Sequence, residues 1–202
     1  MAFRIFIIAI VLICAYLVFE TGRFVLLQNS LLKIDAEYVM GNAEGDITLV
    51  KFLDYNCSFC RDAHPIVSEA VRRDGNIAFI PRPVSILEHE GINPALLPFA
   101  AAKQGQGNFQ AMHEALIANY RVIDEQVIQD LALELGLDHE KLKEDIESKD
   151  VLKAADKNQK LFLRYRLNGT PAYAVGKDIL FIPKGTMNAD DFLSVFAEAR
   201  GR

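Results

Sequence analysis

Two of the chain's three cysteines, Cys57 and Cys60, stand close together in FLDYNCSFCRDAH (Phe52–His64). This spacing can serve as a small structural disulfide, as half of a metal site, or as a dithiol that exchanges with other disulfides. A bridge closing so short a loop removes little chain entropy, so a structural role is weak. Structural zinc takes four ligands, and one CxxC supplies half of them. The four histidines, His64, His89, His113 and His139, are scattered, and no HExxH occurs. His64 follows Cys60 by four positions and could share its helix face, but it reads as a partly exposed helix histidine. No resident metal and no cofactor are expected. A copper(I) ion shared between two copies of the chain through the cysteines is the alternative to redox chemistry.

The surrounding elements favour reactivity. ITLVKFL (Ile47–Leu53) is short, apolar and rich in branched residues, the pattern of a buried central strand. RDAHPIVSEAVRR (Arg61–Arg73) has apolar residues at helical spacing, with Pro65 inside, where a kink is expected. After Gly75 and Asn76, IAFIPRPV (Ile77–Val84) reads as a second strand. The pair therefore sits where a strand feeds a helix. Unpaired N–H groups and the helix dipole favour a thiolate at the first cysteine. Cys57 should ionise well below the free value of ~8.5, within roughly 3.5–7.5. Cys60, one turn further in, would be the less exposed partner.

Residues from about 92 to 167 read as a run of helices, with Asp124 and Asp138 as N-caps and Gly136 ending one of them. A longer helix over 150–166 closes the run. NGTPAYAVGKDILFI (Asn168–Ile182) then reads as a turn and a hairpin, with strands at Ala172–Val175 and Asp178–Ile182. Asn188 caps a last helix, with Asp190 and Asp191 at its positive end and Phe192, Val195 and Phe196 toward the core.

The N-terminus bears on compartment. Ile5–Phe19 is uncharged and almost wholly apolar, with Arg4 before it and Glu20 after it. A span needs roughly 17–25 apolar residues, and residues 2–19 just reach that, with Arg4 snorkelling. No A-x-A-like cleavage site follows, so an uncleaved signal-anchor is preferred to a cleaved signal. Either way the remainder is expected outside the cytoplasm, where paired cysteines oxidise. Cys14, inside the run, reads as an inert packing residue. The 202-residue chain carries a net charge of -5 and no long basic run, which argues against nucleic-acid binding.

Strand, CxxC, proline-containing helix, strand, helical block, GTP and hairpin together resemble the DsbA family of thioredoxin-fold thiol–disulfide oxidoreductases. DITLVKFLDYNCSFC and LNGTPAYAVG are similar to its ScsC-like subgroup. The resemblance implies an α/β thioredoxin fold with an inserted helical domain, preceded here by the apolar signal-anchor helix. It divides the chain into a signal segment (1–19), a linker (20–40) and a DsbA-like domain (41–202) with its insert at about 92–167. It implies Cys57 as nucleophile, Cys60 as its partner, and a cis-proline at Pro171 that binds substrate backbone together with Thr170. Ser58 and Phe59 would tune the potential, though Phe59 cannot stabilise a thiolate by charge as a histidine would. Lys51 stands where many relatives carry a buried acid. It either snorkels to the sheet edge or lies beneath the pair and tunes it. The implied partners are exported cysteine-containing proteins and a membrane redox partner, on the periplasmic or another extracytoplasmic face. A copper-binding or chaperone-type protein is the competing function. Nothing in the sequence sets the oligomeric state or the direction of exchange.

Overall fold

The computed structural model describes residues 2–32, 36–87, 91–183 and 185–201. His89 and residues 33–35 of the expected linker lie outside them. The chain forms two units, Met1–Lys33 and Ile34–Arg202.

The first unit is one helix, α1 (Ala2–Leu32). It runs through residues 20–32, which the sequence reading assigned to a linker. Leu12, Val18 and Phe19 are exposed on it. So is the Cys14 thiol, which corrects the expectation of a packing residue. Among the described residues, no helix is long and apolar enough to cross a membrane.

The second unit is built on a five-stranded sheet in the order β1-β3-β2-β4-β5. Its strands are β1 (Met40–Gly41), β2 (Ile47–Leu53), β3 (Ile77–Pro83), β4 (Ala172–Val175) and β5 (Ile179–Phe181). β2 pairs parallel with β3 and antiparallel with β4, so it is central, and six of its seven residues, on both faces, are buried. That explains its apolar run. The two-residue β1 carries too little pattern to be seen in sequence; it pairs antiparallel with β3. Gly41 there has φ 71°, and a Cβ would meet the Ile77 carbonyl at 2.7 Å, so only glycine fits.

Between β2 and β3 lies α2 (Ser58–Asp74), which contains Pro65 and ends on Gly75 in the left-handed region. The insert comprises α3 (Leu97–Ala102), α4 (Asn108–Ala118), α5 (Glu125–Glu134), α6 (His139–Ile146) and α7 (Lys149–Arg164). Asp124 and Asp138 cap α5 and α6 by accepting from Val127 N and Lys141 N, as their residue types predict. α8 (Ala189–Arg200) opens with a capping box between Asn188 and Asp191.

Side chains alternate across β2. Leu49 joins Val67, Tyr173, Phe192 and Phe196 in one apolar cluster under α2 and α8. Phe52 turns the other way and meets Phe162 of α7, their ring centroids 5.9 Å apart. A second cluster joins Leu53, Tyr55 and both cysteines of the pair to the insert through Phe99, Met112 and Leu116. Arg200 grips Asp46 and Asp74 at 2.7–2.9 Å and ties the last helix to the start of β2 and the end of α2.

Candidate active site

Asp54 prepares the turn that carries the cysteines. This buried carboxylate accepts from the backbone N–H groups of Asn56, Ile86 and Leu87 at 2.8–2.9 Å. One side chain thus couples the loop after β2 to the loop after β3. Sequence reasoning missed it, because the second loop is distant in the chain. Cys57 then takes the N-cap of α2 in extended conformation, and its carbonyl accepts from Cys60 N and Arg61 N.

Cys57 and Cys60 are both free thiols. Cys57 is only 6% exposed and Cys60 is fully buried, so Cys57 is more recessed than its place at a helix start suggests. The Cys57 thiol meets the Thr170 carbonyl at 3.3 Å. Its pKa is lowered to about 6, first by the hydrogen bond from Cys60, with help from Thr170 and the backbone N–H groups of Cys60 and Phe59 against the cost of burial. Cys60 moves the opposite way: burial and the neighbouring Cys57 hold it firmly as a thiol. The helix N-terminus therefore acts as the sequence predicted, but the second sulfur contributes most to the first.

The Thr170–Pro171 peptide is cis, as the resemblance implied, and lies against Cys57. Phe59 projects outward and is 73% exposed. A groove of about 500 Å³ runs beside the pair, walled by Phe59, Ile66, Thr170, Pro171, Ile182 and Met187. It is largely apolar. Ser58 is exposed at the first turn of α2.

Lys51 does not snorkel. It lies mid-strand between Pro81 and Tyr173 of the neighbouring strands and is fully buried. Its ammonium donates to the Cys60 carbonyl at 3.1 Å, directly beneath the pair. Burial lowers its pKa to about 8, while Cys60, Glu114 and Cys57 hold it up.

A buried polar group next to the pair was not foreseen. The Tyr55 hydroxyl bonds His113 Nδ1 at 2.8 Å, and His64 Nε2 bonds Glu114 at 2.8 Å. The two imidazole rings are 5.3 Å apart. His64 is buried, which corrects its reading as a partly exposed helix residue: the insert helix α4 covers that face of α2. The one available signal was its four-residue spacing from Cys60.

Residues 48–196 match the DSBA-like thioredoxin domain. The chain belongs to that family. Cys57 and Cys60 are the CxxC pair of this DSBA-like domain. A thioredoxin-like oxidoreductase from Silicibacter pomeroyi DSS-3 is 32% identical, with a TM-score of 0.75 over 86% of this chain and 98% of that one. The catalytic domain of Proteus mirabilis ScsC is 22% identical, with a TM-score of 0.75 over 89% and 98% of the two chains. A periplasmic thioredoxin-like protein from Salmonella enterica serovar Typhimurium is 23% identical, with a TM-score of 0.73 over 88% and 97%. These last two likenesses carry the fold. Two Na(+)/H(+) antiporters also match over 110 residues: NhaA 1 of Salinispora arenicola at 27% identity and NhaA 3 of Salinispora tropica at 26%. That stretch is 54% of this chain and 17% of each antiporter, so the chain spans only a small part of those relatives.

Proposed function

We propose that this DSBA-like domain is a thiol–disulfide oxidoreductase that exchanges disulfides with exported cysteine-containing proteins. The observation that carries the reading is the opposite ionisation of two adjacent sulfurs. Cys57 is lowered to about 6 and lies against Thr170 on the wall of the groove, while Cys60 stays protonated. Only the thiolate is the nucleophile, so Cys57 attacks and Cys60 resolves.

In the oxidising direction a substrate thiolate attacks Cys57 Sγ of the oxidised pair, and Cys60 leaves and takes up a proton. A second substrate thiol, deprotonated, then attacks the substrate sulfur of the mixed disulfide and releases the Cys57 thiolate. Two electrons pass from the substrate dithiol to the pair. In the reducing direction the Cys57 thiolate opens a substrate disulfide, and Cys60 gives up its proton and closes the bridge. Thr170 and Pro171 border the groove and would hold the substrate backbone. Ser58 and Phe59 would tune the pair, Phe59 by apolar contact rather than charge. Lys51 would favour the thiolates from below.

Export is supported by the uncharged run Ile5–Phe19 and by the periplasmic relative from Salmonella. We place the domain on the extracytoplasmic side, with a membrane redox partner resetting the pair. The ScsC-like assignment rests on the quoted motifs and the shared fold.

Cys60→Ser tests the core of this reading. It should accumulate mixed disulfides with exported proteins through Cys57, and Cys57→Ser should abolish them. If alkylation of the reduced wild-type chain labels Cys60 before Cys57, the role assignment fails. Trapping the pair in living cells sets the direction: mostly oxidised for an oxidase, mostly reduced for an isomerase or reductase.

A further inference from the structure

Behind the cysteine pair, α2 and α4 bring together two imidazoles and a carboxylate that the exchange chemistry does not use. We propose that His64, His113 and Glu114 form a binding site for a divalent cation of the zinc class, with Tyr55 positioning one ligand. One donor atom from each of the three lies within 4.8 Å of the other two.

His113 supplies the observation that points to a ligand. It is fully buried, its Nδ1 is bonded to the Tyr55 hydroxyl at 2.8 Å, and its Nε2 has no partner among the described residues. Buried ring nitrogens are rarely left so. With Nδ1–H donating to Tyr55, Nε2 presents a lone pair, and a ligating histidine commonly makes such a bond with its other nitrogen. His64 Nε2 faces Glu114 Oε2 at 2.8 Å, with Ser68 Oγ at 3.4 Å from the same nitrogen.

Two histidines and one carboxylate match the donor set of zinc sites that keep a fourth position for water. Zinc–nitrogen bonds of about 2.0–2.1 Å in a tetrahedron separate donors by about 3.4 Å. The His64–Glu114 contact would open slightly and the wider separations close. The Glu114 side chain is 43% exposed and free to adjust. A cleft of about 410 Å³ lined by Asn42, Ser68, Gln110 and Glu114 opens on the Glu114 side of the cluster. Lys51 works against the ion, since its charge reaches both His113 and Glu114. Glu114 supplies the opposing negative charge. His64 and Glu114 are 50 residues apart in sequence, so no ligand spacing announces the set.

The test uses the full chain with the pair oxidised and with Cys14→Ser, so that no thiol can ligate. After dialysis against micromolar zinc and a wash, elemental analysis should find one zinc per chain. Calorimetry should show binding at least about tenfold weaker in Glu114→Gln and about tenfold weaker in Tyr55→Phe. Glu114→Gln changes a half-exposed side chain, and circular dichroism checks that it folds. No zinc on the oxidised chain overturns the site, as does equal retention in Glu114→Gln and His64→Gln; the cluster is then a hydrogen-bonded core contact.

Discussion

Beneath α8, the cluster around Phe192 and Phe196 is closed by apolar side chains, with the Tyr173 ring edge-on to Phe192 at 5.0 Å. On the insert side the core holds Tyr55, Cys57 and Cys60, with Lys51 bonded to Cys60 and His113 to Tyr55. The first region buries area with no charge to desolvate. The second buries a lysine, two histidines and two thiols, each of which costs free energy unless paired. The contrast is one of content: one core is packed apolar side chains alone, and the other adds to its apolar packing titratable groups, where small changes in charge move a sulfur's ionisation.

The largest expected effect breaks the first core. Phe196→Ala removes a fully buried ring and should cost about 3–5 kcal/mol. The alkylation pH profile of Cys57 in the folded variant should stay as in the wild type. Urea unfolding and iodoacetamide kinetics measure both, and a shifted profile would mean that the two regions are not separable.

Next comes the pH dependence of the reduced chain. Folded Cys57 titrates near 6 against an ordinary 9.0. Its folded value is depressed, so its stabilisation is complete above 9 and is lost as pH falls through 6. A shift of about three units corresponds to at most about 4 kcal/mol. Cys60 stays a thiol in this window and does not offset it. His113, neutral when folded, weakens both redox forms at acid pH and cancels in their difference. Unfolding the oxidised and reduced forms from about pH 5 to 9 should show the gap widening in favour of the reduced form. Parallel curves would sink the thiolate assignment.

The smallest effect sharpens the comparison at Lys51. At neutral pH a lysine with a pKa of about 8 is mostly charged and favours the thiolates. Lys51→Met should raise the Cys57 pKa and make the reduction potential more negative. One pKa unit corresponds to roughly 30 mV. Removing a buried charge in favour of an apolar side chain should leave stability equal or higher. Equilibration with glutathione reads the potential, and an unchanged value would show that the ammonium is spent on the Cys60 carbonyl alone.

Several features were legible because their physics is local. Cys57 lies at a helix N-terminus because an apolar strand ends just before it and helical spacing begins just after it. Asp124, Asp138 and Asn188 cap helices through bonds to residues three positions on. The motif before β4 placed Thr170 and Pro171 beside the pair only through resemblance, since no local rule joins positions 113 residues apart.

By itself, then, the sequence determined the order of strands and helices from β2 onward, several of their caps and the spacing of the cysteines. Each follows from interactions within a few residues. The tertiary structure alone decided that β2 is central and Lys51 is trapped beneath Cys60, because β4 returns along the side opposite β3. It alone decided that His64 is buried and meets Glu114, because α4 packs on the face of α2 that the helix period left partly polar. Burial and charge at these positions are set by what covers them, and the covering residues arrive from distant parts of the chain.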